Sequence, residues 1–186
     1  WAEIECVQQC MESPEKAEAV FRSEFMSKPE WLYDRCLFVV DGKRDKGLYL
    51  YSSGPGLCKT SSMACARNLF IDNGIPAILT NVEEIVEAFL GSYEMFETYC
   101  DVDVLIVDDI GIQDPKELMP SNMGKINTAL YELVNKRMLQ RDKPTLFTSN
   151  FTIKELLDRG YKPQTVDRIR GIVGDYIMKI SGSSIR

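Results

Sequence analysis

The sequence has no histidine, and its cysteines are not spaced as metal ligands usually are. Without histidine, a zinc site would have to consist of cysteine ligands alone. Only Cys6 and Cys10 lie close together, and they are four residues apart rather than in a C-x-x-C pair, with no second pair nearby. We therefore expect reduced thiols in a cytoplasmic protein rather than a zinc site.

Basic residues are also scarce. Lysine and arginine number 22 against 28 aspartates and glutamates, which gives a net charge of −6. A broad nucleic-acid surface needs a basic face, so this balance argues against one but leaves room for a short local contact. The sequence does hold one local cluster of Lys136, Arg137, Arg141 and Lys143. We interpret it as the solvated end of a helix, where cations suit the helix dipole, with a local nucleic-acid contact as the alternative.

Long apolar runs are missing as well. No run approaches the roughly 18–20 residues that a membrane-spanning helix needs, and the first residues lack the basic and apolar parts of a signal peptide. We therefore expect no membrane association. Because the sequence starts with Trp1 rather than methionine, we interpret it as part of a longer protein.

The sequence does contain a regular alternation of strand and helix patterns. Strand candidates lie at 46–53, 75–80, 102–109, 144–150 and 175–181. Helix candidates lie at 59–73, in the pair at 81–99, around 126–134, at 152–160 and from Pro163 onward. The alternation predicts one α/β domain over 46–186 with a mainly parallel sheet. Residues 1–45 are expected to form a helical lead-in, with a helix that opens at Ser13 and Pro14.

The stretch SSGPGLCKTS at 52–61 nearly matches the phosphate-binding pattern G-x-x-x-x-G-K-[ST]. Lys59 and Thr60 are in place, whereas Ser53 and Cys58 occupy the two glycine positions. The stretch lies between a strand and a helix, where backbone N–H groups and a helix N-terminus can bind phosphates. The Cys58 side chain would crowd the loop, so the pattern predicts an altered nucleotide site.

Polar residues follow two further predicted strands. Asp108 and Asp109 end the apolar run at 102–109, and Asn150 ends the strand at 144–150. Adjacent carboxylates at the end of a buried strand are costly unless a cation meets them, and Mg²⁺ beside a triphosphate would be such a cation. Open α/β sheets bind ligands at the carboxyl ends of their strands, so we expect all three residues at one site.

Four stretches, in this order and spacing, resemble the AAA+ ATPase domain of bacterial and phage helicase loaders of the DnaC/DnaI type. They are GLYLYSSGPGLCKT, VLIVDDIG, PTLFTSN and VDRIR, and the resemblance covers roughly 47–186. It implies a P-loop fold with five mainly parallel strands between helices, the P-loop strand at the centre, and little or no C-terminal helical lid.

The resemblance also implies the residues that bind ATP or ADP with Mg²⁺. Lys59 and Thr60 match the Walker A pair, and Asp108 matches the first Walker B carboxylate. Thr60 and Asp108 would be the metal ligands. The rest of the expected nucleotide-binding set is Gly54, Gly56, Cys58 and Ser61.

Three further residues are implied in hydrolysis. Asp109 matches the Walker B residue that orients or deprotonates the attacking water, and Asn150 matches the sensor 1 residue. Arg168 matches the arginine finger that reaches a neighbouring subunit's nucleotide, with Arg170 as the alternative. Arg186 is a candidate for a cis-acting sensor, and Gln164 departs from the family at a position that is often basic.

The function implied is delivery of a ring-shaped replicative helicase hexamer to single-stranded DNA by a homo-oligomer that assembles with nucleotide. In the resembled family the helices at 81–99 lie near the DNA, so Tyr93, Phe96 and Tyr99 are candidates for weak, local base stacking. Packing of these aromatic rings inside the fold is the alternative. Two other functions stay open, a transposition-helper ATPase and a nucleotide-binding interaction module that does not hydrolyse ATP.

Overall fold

A computed structural model describes Cys36 and residues 47–53, 57, 59–111 and 120–180. Five strands alternate with helices along the chain. The strands are β1 (Leu48–Tyr51), β2 (Ala77–Asn81), β3 (Val104–Ile110), β4 (Thr145–Ser149) and β5 (Ile177–Lys179). The helices are α1 (Lys59–Asp72), α2 (Val82–Gly91), α3 (Tyr93–Asp101), α4 (Pro120–Leu139) and α5 (Pro163–Val173).

All neighbouring strands in the sheet are parallel. Their order is β2-β3-β4-β1-β5, so the strand before the phosphate-binding stretch lies between β4 and β5. Parallel pairs need crossover connections, and the helices supply them. The predicted α/β architecture with a mainly parallel five-stranded sheet is confirmed.

Side chains alternate between the two faces of the sheet, and each face is covered. Leu48, Leu50 and Ile106 pack with α1 in one core, while Tyr49, Leu105 and Phe147 pack with α2, α3, α4 and α5 in the other. Burial on both faces explains why the run at 104–107 is wholly apolar. No helix in the described part of the chain is long and apolar enough to cross a membrane.

The strand β3 contains one extra residue relative to β4. Val107 is opposite Phe147 and Ile110 is opposite Ser149, so three steps along β3 correspond to two steps along β4. This is a β-bulge, and Asp109 within it has a positive φ of 53°. The bulge returns Ile110 to the same core as Val107, and the two aspartates between them are partly buried.

Side chains and glycine cap several helix ends. The Asn81 side chain accepts a hydrogen bond of 2.9 Å from the Glu84 N–H at the start of α2, and Ser92 caps α3 in the same manner. Gly74 follows α1 with a φ of 72°, a conformation that suits glycine. Pro163 is the first residue of α5, as predicted.

The predicted helix at 152–160 is wrong, because the segment forms consecutive turns. Thr152 and Glu155 form a helix-capping pair, in which a 2.7 Å bond from the Thr152 N–H to the Glu155 carboxylate lowers the pKa of Glu155. The backbone bonds that follow span three residues at Leu157 and four at Arg159. Gly160, with a φ of 81°, then ends the segment before a regular helix is established.

Arg137 is also placed differently from the prediction. Instead of lying at a solvated helix end, its side chain is only 1% exposed. The guanidinium donates to Thr145 Oγ1 at 3.0 Å and to the carbonyls of Cys100, Val102, Asp103, Lys143 and Pro144. Burial lowers the pKa of Arg137 to about 10, so the group stays charged at neutral pH and ties the end of α4 to the starts of β3 and β4.

Candidate active site

The carboxyl ends of β1, β3 and β4 bring the predicted site residues together. Lys59, the first residue of α1, is 5% exposed, and its Nζ donates to Ser52 Oγ and to Asn150 Oδ1, each at 2.7 Å. Ser52 follows β1 and Asn150 follows β4, which are adjacent strands. The ammonium group therefore lies between the phosphate-binding stretch and the predicted sensor 1 residue.

A second pair of contacts joins Thr60 to Asp108. The Thr60 hydroxyl donates to Asp108 Oδ2 at 2.7 Å, although the two residues are 48 positions apart. The other carboxylate oxygen, Oδ1, accepts a hydrogen bond from the Thr148 hydroxyl on β4. A hydroxyl and a carboxylate oxygen in contact are a suitable donor set for Mg²⁺, which prefers hard oxygen ligands.

Asp109 lies beside this pair in the β-bulge. Its backbone N–H donates to Thr148 Oγ1 at 2.8 Å, and its side chain is partly exposed. A positive φ is uncommon for aspartate and is held in place here by the bulge and by that hydrogen bond. The arrangement directs two successive carboxylates to the same end of the sheet.

The polar groups around Lys59 fit a phosphate and a divalent cation. Ser61 is 1% exposed, and its Oγ has no hydrogen-bond partner in the described structure. A buried hydroxyl without a partner is costly, and a bound polar ligand would satisfy it. The other predicted loop residues, Gly54, Gly56 and Cys58, lie outside the described residues.

A buried polar network holds together the segments that follow β3 and β4. The Gly111 N–H donates to the Tyr161 hydroxyl at 3.1 Å, and Arg159 Nε donates to the Gly111 carbonyl at 3.0 Å. Burial raises the pKa of Tyr161 to about 12, so its hydroxyl stays protonated. The Arg159 guanidinium also stacks at 4.7 Å over the Phe151 ring, next to Asn150. These contacts connect the segment after β3 to the segment after β4.

Arg168 is not part of this cluster within its own chain. Its Nε donates to Asn135 Oδ1 at 3.2 Å, and its guanidinium lies 3.7 Å from the Asp167 carboxylate. The side chain is 34% exposed, so it is accessible to a neighbouring molecule, as a residue that acts in trans must be. Arg170 is exposed on the same helix, and Arg186 lies outside the described residues.

The three aromatic residues proposed for base stacking have different environments. Phe96 and Tyr99 are buried in the core, whereas Tyr93 is 77% exposed. The helices α2 and α3 also hold most of a strongly acidic stretch, since residues 81–103 include seven carboxylates and no lysine or arginine. Packing therefore explains two of the aromatics, and only Tyr93 could stack on a base.

Sequence reasoning missed two residues that contact the predicted site directly, Ser52 and Thr148. A signal for Thr148 was present, because it lies two positions before Asn150 and alternate residues of a strand face the same side. Ser52 had a weaker signal as the last residue before the nearly matching loop pattern.

The same arrangement of strands and helices occurs in solved structures of replication proteins. No family model and no curated protein sequence matches the chain. A crystal structure of DnaI superposes with a TM-score of 0.65 at 24% identity, over 84% of this chain and 81% of that one. A crystal structure of the DnaC helicase loader gives a TM-score of 0.58 at 16% identity, over 82% of this chain and 92% of that one.

A third similar structure contains ligands. The replication initiator DnaA bound to AMPPCP and single-stranded DNA gives a TM-score of 0.64 at 18% identity, over 83% of this chain and 46% of that one. These likenesses show that the chain shares the fold of the DnaI and DnaC structures, which is the fold that the resemblance to AAA+ domains predicts.

Proposed function

Starting from this AAA+ fold, we propose that the chain binds ATP and Mg²⁺ at the carboxyl edge of its sheet and serves as a helicase loader in DNA replication. The observation that carries the proposal is the convergence of Lys59, Thr60, Asp108 and Asn150 through direct hydrogen bonds. They come from three element ends, the start of α1 and the ends of β3 and β4, and each has the chemistry that triphosphate binding requires.

Binding would begin with exchange of hydrogen bonds at Lys59. Its ammonium would leave Ser52 and Asn150 and donate to the β- and γ-phosphate oxygens, which are charged and therefore stronger acceptors. The N-terminus of α1 begins at the same residue and adds its positive end to the phosphate site. The buried Ser61 hydroxyl would gain a partner in this exchange.

The Thr60 hydroxyl and Asp108 would hold the metal. They already contact each other at 2.7 Å, and together they supply a neutral and an anionic oxygen. When bound, Mg²⁺ neutralises charge on the phosphate oxygens. Asp108 would bind it largely through water, as Mg²⁺ keeps several waters in such sites.

For hydrolysis, Asp109 would orient or deprotonate the attacking water, and Asn150 would position the γ-phosphate after Lys59 has released it. Arg168 would be supplied by a neighbouring subunit, because its contacts within the described chain lie on α4 and α5. A guanidinium brought to the neighbour's γ-phosphate neutralises charge that develops during transfer. Because one subunit would supply the nucleotide site and its neighbour would supply Arg168, the proposed mechanism requires a nucleotide-dependent homo-oligomer.

The proposed partner is a ring-shaped replicative helicase hexamer, which is supported by the similar fold of a protein that is named a helicase loader. Single-stranded DNA would make only a local contact. The acidic stretch at 81–103 repels phosphates, so base stacking on Tyr93 is the contact best compatible with α2 and α3. The similar fold of a DnaA structure that contains single-stranded DNA supports the presence of such a contact.

Calorimetry with ATP and ADP, with and without Mg²⁺, tests the nucleotide site. We expect binding by the unchanged chain, its loss in Lys59→Ala, and normal binding in Lys125→Ala, which removes an exposed lysine from α4 as a matched control. Absence of binding by the unchanged chain would refute the proposal.

A pull-down with replicative helicase and with transposase separates the two possible partners. Retention of the helicase in the presence of ATP supports the loader, and retention of the transposase alone would favour a transposition-helper ATPase. Phosphate release measured with helicase and single-stranded DNA then tests turnover. Tight ATP binding without any release would identify an interaction module that does not hydrolyse ATP.

A further inference from the structure

We propose that Thr148 is a positioning residue for the metal ligand Asp108 and for the backbone of Asp109. This inference rests on the proposed ATP and Mg²⁺ site and gives a role to a residue for which the sequence motifs implied none. Thr148 lies on β4, is fully buried, and faces the bulge in β3.

A single hydroxyl group makes both contacts. Thr148 Oγ1 donates its hydrogen to Asp108 Oδ1, and the same oxygen accepts the Asp109 N–H at 2.8 Å. A hydroxyl has one hydrogen and two lone pairs, so it can donate and accept at once. The donor and acceptor functions of Thr148 are therefore both used on the two aspartates.

Because Oδ1 of Asp108 is occupied by Thr148, the other carboxylate oxygen, Oδ2, is available to the proposed metal. Oδ2 faces the Thr60 hydroxyl at 2.7 Å, and those two oxygens form the proposed metal pair. With Oδ1 fixed to β4, the carboxylate cannot rotate about its side-chain bonds without breaking a buried hydrogen bond. Thr148 thus selects which oxygen of Asp108 is presented to the metal.

The contact at the Asp109 N–H holds an uncommon backbone conformation. The bulge takes this N–H out of the regular ladder between β3 and β4, and Thr148 supplies the acceptor in place of a carbonyl. The φ of 53° at Asp109 sets the direction of its Cα–Cβ bond relative to the strand. Loss of the acceptor would therefore loosen the direction of the second carboxylate as well.

Packing alone does not require a hydroxyl at this position. A buried central strand favours β-branched side chains, and valine would fill the same volume as threonine. The neighbouring Phe147 and Leu146 are apolar, as expected for a strand covered on both faces. The polar atom of Thr148 is therefore explained by its two contacts and not by the requirements of the core.

Substitution of Thr148 by valine removes the hydroxyl and keeps the shape, whereas Thr148→Ser keeps the hydroxyl. Thr165→Val is the matched control, because Thr165 is equally buried on α5 and its Oγ1 has no hydrogen-bond partner in the described structure. Thermal unfolding of each variant comes first, and Thr148→Ala replaces the valine variant if the latter does not fold.

Calorimetric titration of Mg²⁺ into the nucleotide-bound protein is the first measurement. Removal of a residue that orients a metal ligand lowers metal affinity by about 10–100-fold. We expect a loss of about tenfold in Thr148→Val, affinity near that of the unchanged chain in Thr148→Ser, and no change in Thr165→Val. Nucleotide affinity without Mg²⁺ should be the same in all variants. Unchanged Mg²⁺ affinity in the valine variant would overturn the inference.

Amide hydrogen exchange of Asp109, followed by NMR without nucleotide, is the second measurement. We expect the Asp109 N–H to exchange at least tenfold faster in Thr148→Val than in the unchanged chain, with Thr148→Ser restoring protection. This readout stands even if the protein binds no nucleotide, so failure of the proposed function and failure of the positioning role are distinguishable. Equal exchange rates in the valine and serine variants would show that the hydroxyl does not hold the bulge.

Discussion

Replacement of Arg137 by methionine should reduce stability strongly and leave nucleotide binding intact. Three of the guanidinium's hydrogen bonds are buried at both ends, to Cys100 O at 3.1 Å, Pro144 O at 2.8 Å and Thr145 Oγ1 at 3.0 Å. A hydrogen bond to a charged group contributes about 1.5–3 kcal/mol, so three of them set an upper range of about 5–9 kcal/mol.

Two effects reduce this range. Methionine no longer has a charge to desolvate, and burial is the main reason that the pKa of Arg137 is lowered. In addition, the Pro144 carbonyl keeps a second donor, the Leu105 N–H at 3.3 Å. We therefore expect the free energy of unfolding to fall by about 3 kcal/mol, which is a large part of the roughly 5–15 kcal/mol that is usual for a domain.

Urea unfolding followed by circular dichroism measures this loss, and the melting temperature should fall by roughly 6–12 °C for a domain of this size. Lys136→Met is the matched control. The Lys136 side chain is next to Arg137 in the sequence, is 37% exposed and pairs with Glu97 at the surface. Its loss should therefore lower the free energy of unfolding by about 1 kcal/mol or less. A stable Arg137→Met protein that binds ATP but no longer hydrolyses it would refute the reasoning and make Arg137 a candidate finger.

Three further outcomes are expected. ATPase activity per molecule should rise with protein concentration, and the Arg168→Ala variant should bind ATP but not show this rise. A mixture of the Arg168→Ala and Asp109→Asn variants should regain turnover. A mixture that assembles but stays inactive would exclude Arg168 as the arginine finger. Cys58→Gly should raise nucleotide affinity, since glycine relieves crowding in the loop, and an unchanged affinity by calorimetry would contradict this. Burial raises the pKa of Cys100 to about 11, so its thiol should resist iodoacetamide at pH 8, and mass spectrometry that finds it rapidly alkylated would show that this region opens.

The fold could be predicted because its signals are local in the sequence. Local signals of this kind are the apolar runs of strand length and the proline at the start of α5, which each depend on a few neighbouring residues. The contacts between Lys59 and Asn150 and between Thr60 and Asp108 follow from the parallel sheet, since the carboxyl ends of its strands share one edge. The structure brings these residues together, and their roles in binding and hydrolysis stay predictions.

Other features depend on contacts between distant segments. The neighbours of Arg137 in the sequence are typical of a solvated helix end. Its burial is favourable only because the segments before β3 and β4 approach it and supply carbonyl acceptors. The turns at 152–160 carry a helix-capping pair, but Asn127 fixes the end of that segment by donating to the Gly160 carbonyl and accepting from the Lys162 N–H. The role of Thr148 depends on the bulge, and nothing in the alternation of β3 reveals where an extra residue is inserted.

That extra residue also determines how β3 tolerates changes in length. Val107 and Ile110 lie in the same core although an odd number of steps separates them, which is possible only with the bulge between them. Deletion of one residue there would remove the bulge and leave Ile110 two regular steps from Val107, still facing the same core. Insertion of one residue beside the retained bulge would instead turn Ile110 toward the layer that contains α1. In a scan of single deletions and insertions, the core around β3 should therefore tolerate loss of a residue at the bulge better than gain of one, although the loss would remove the contact between the Asp109 N–H and Thr148.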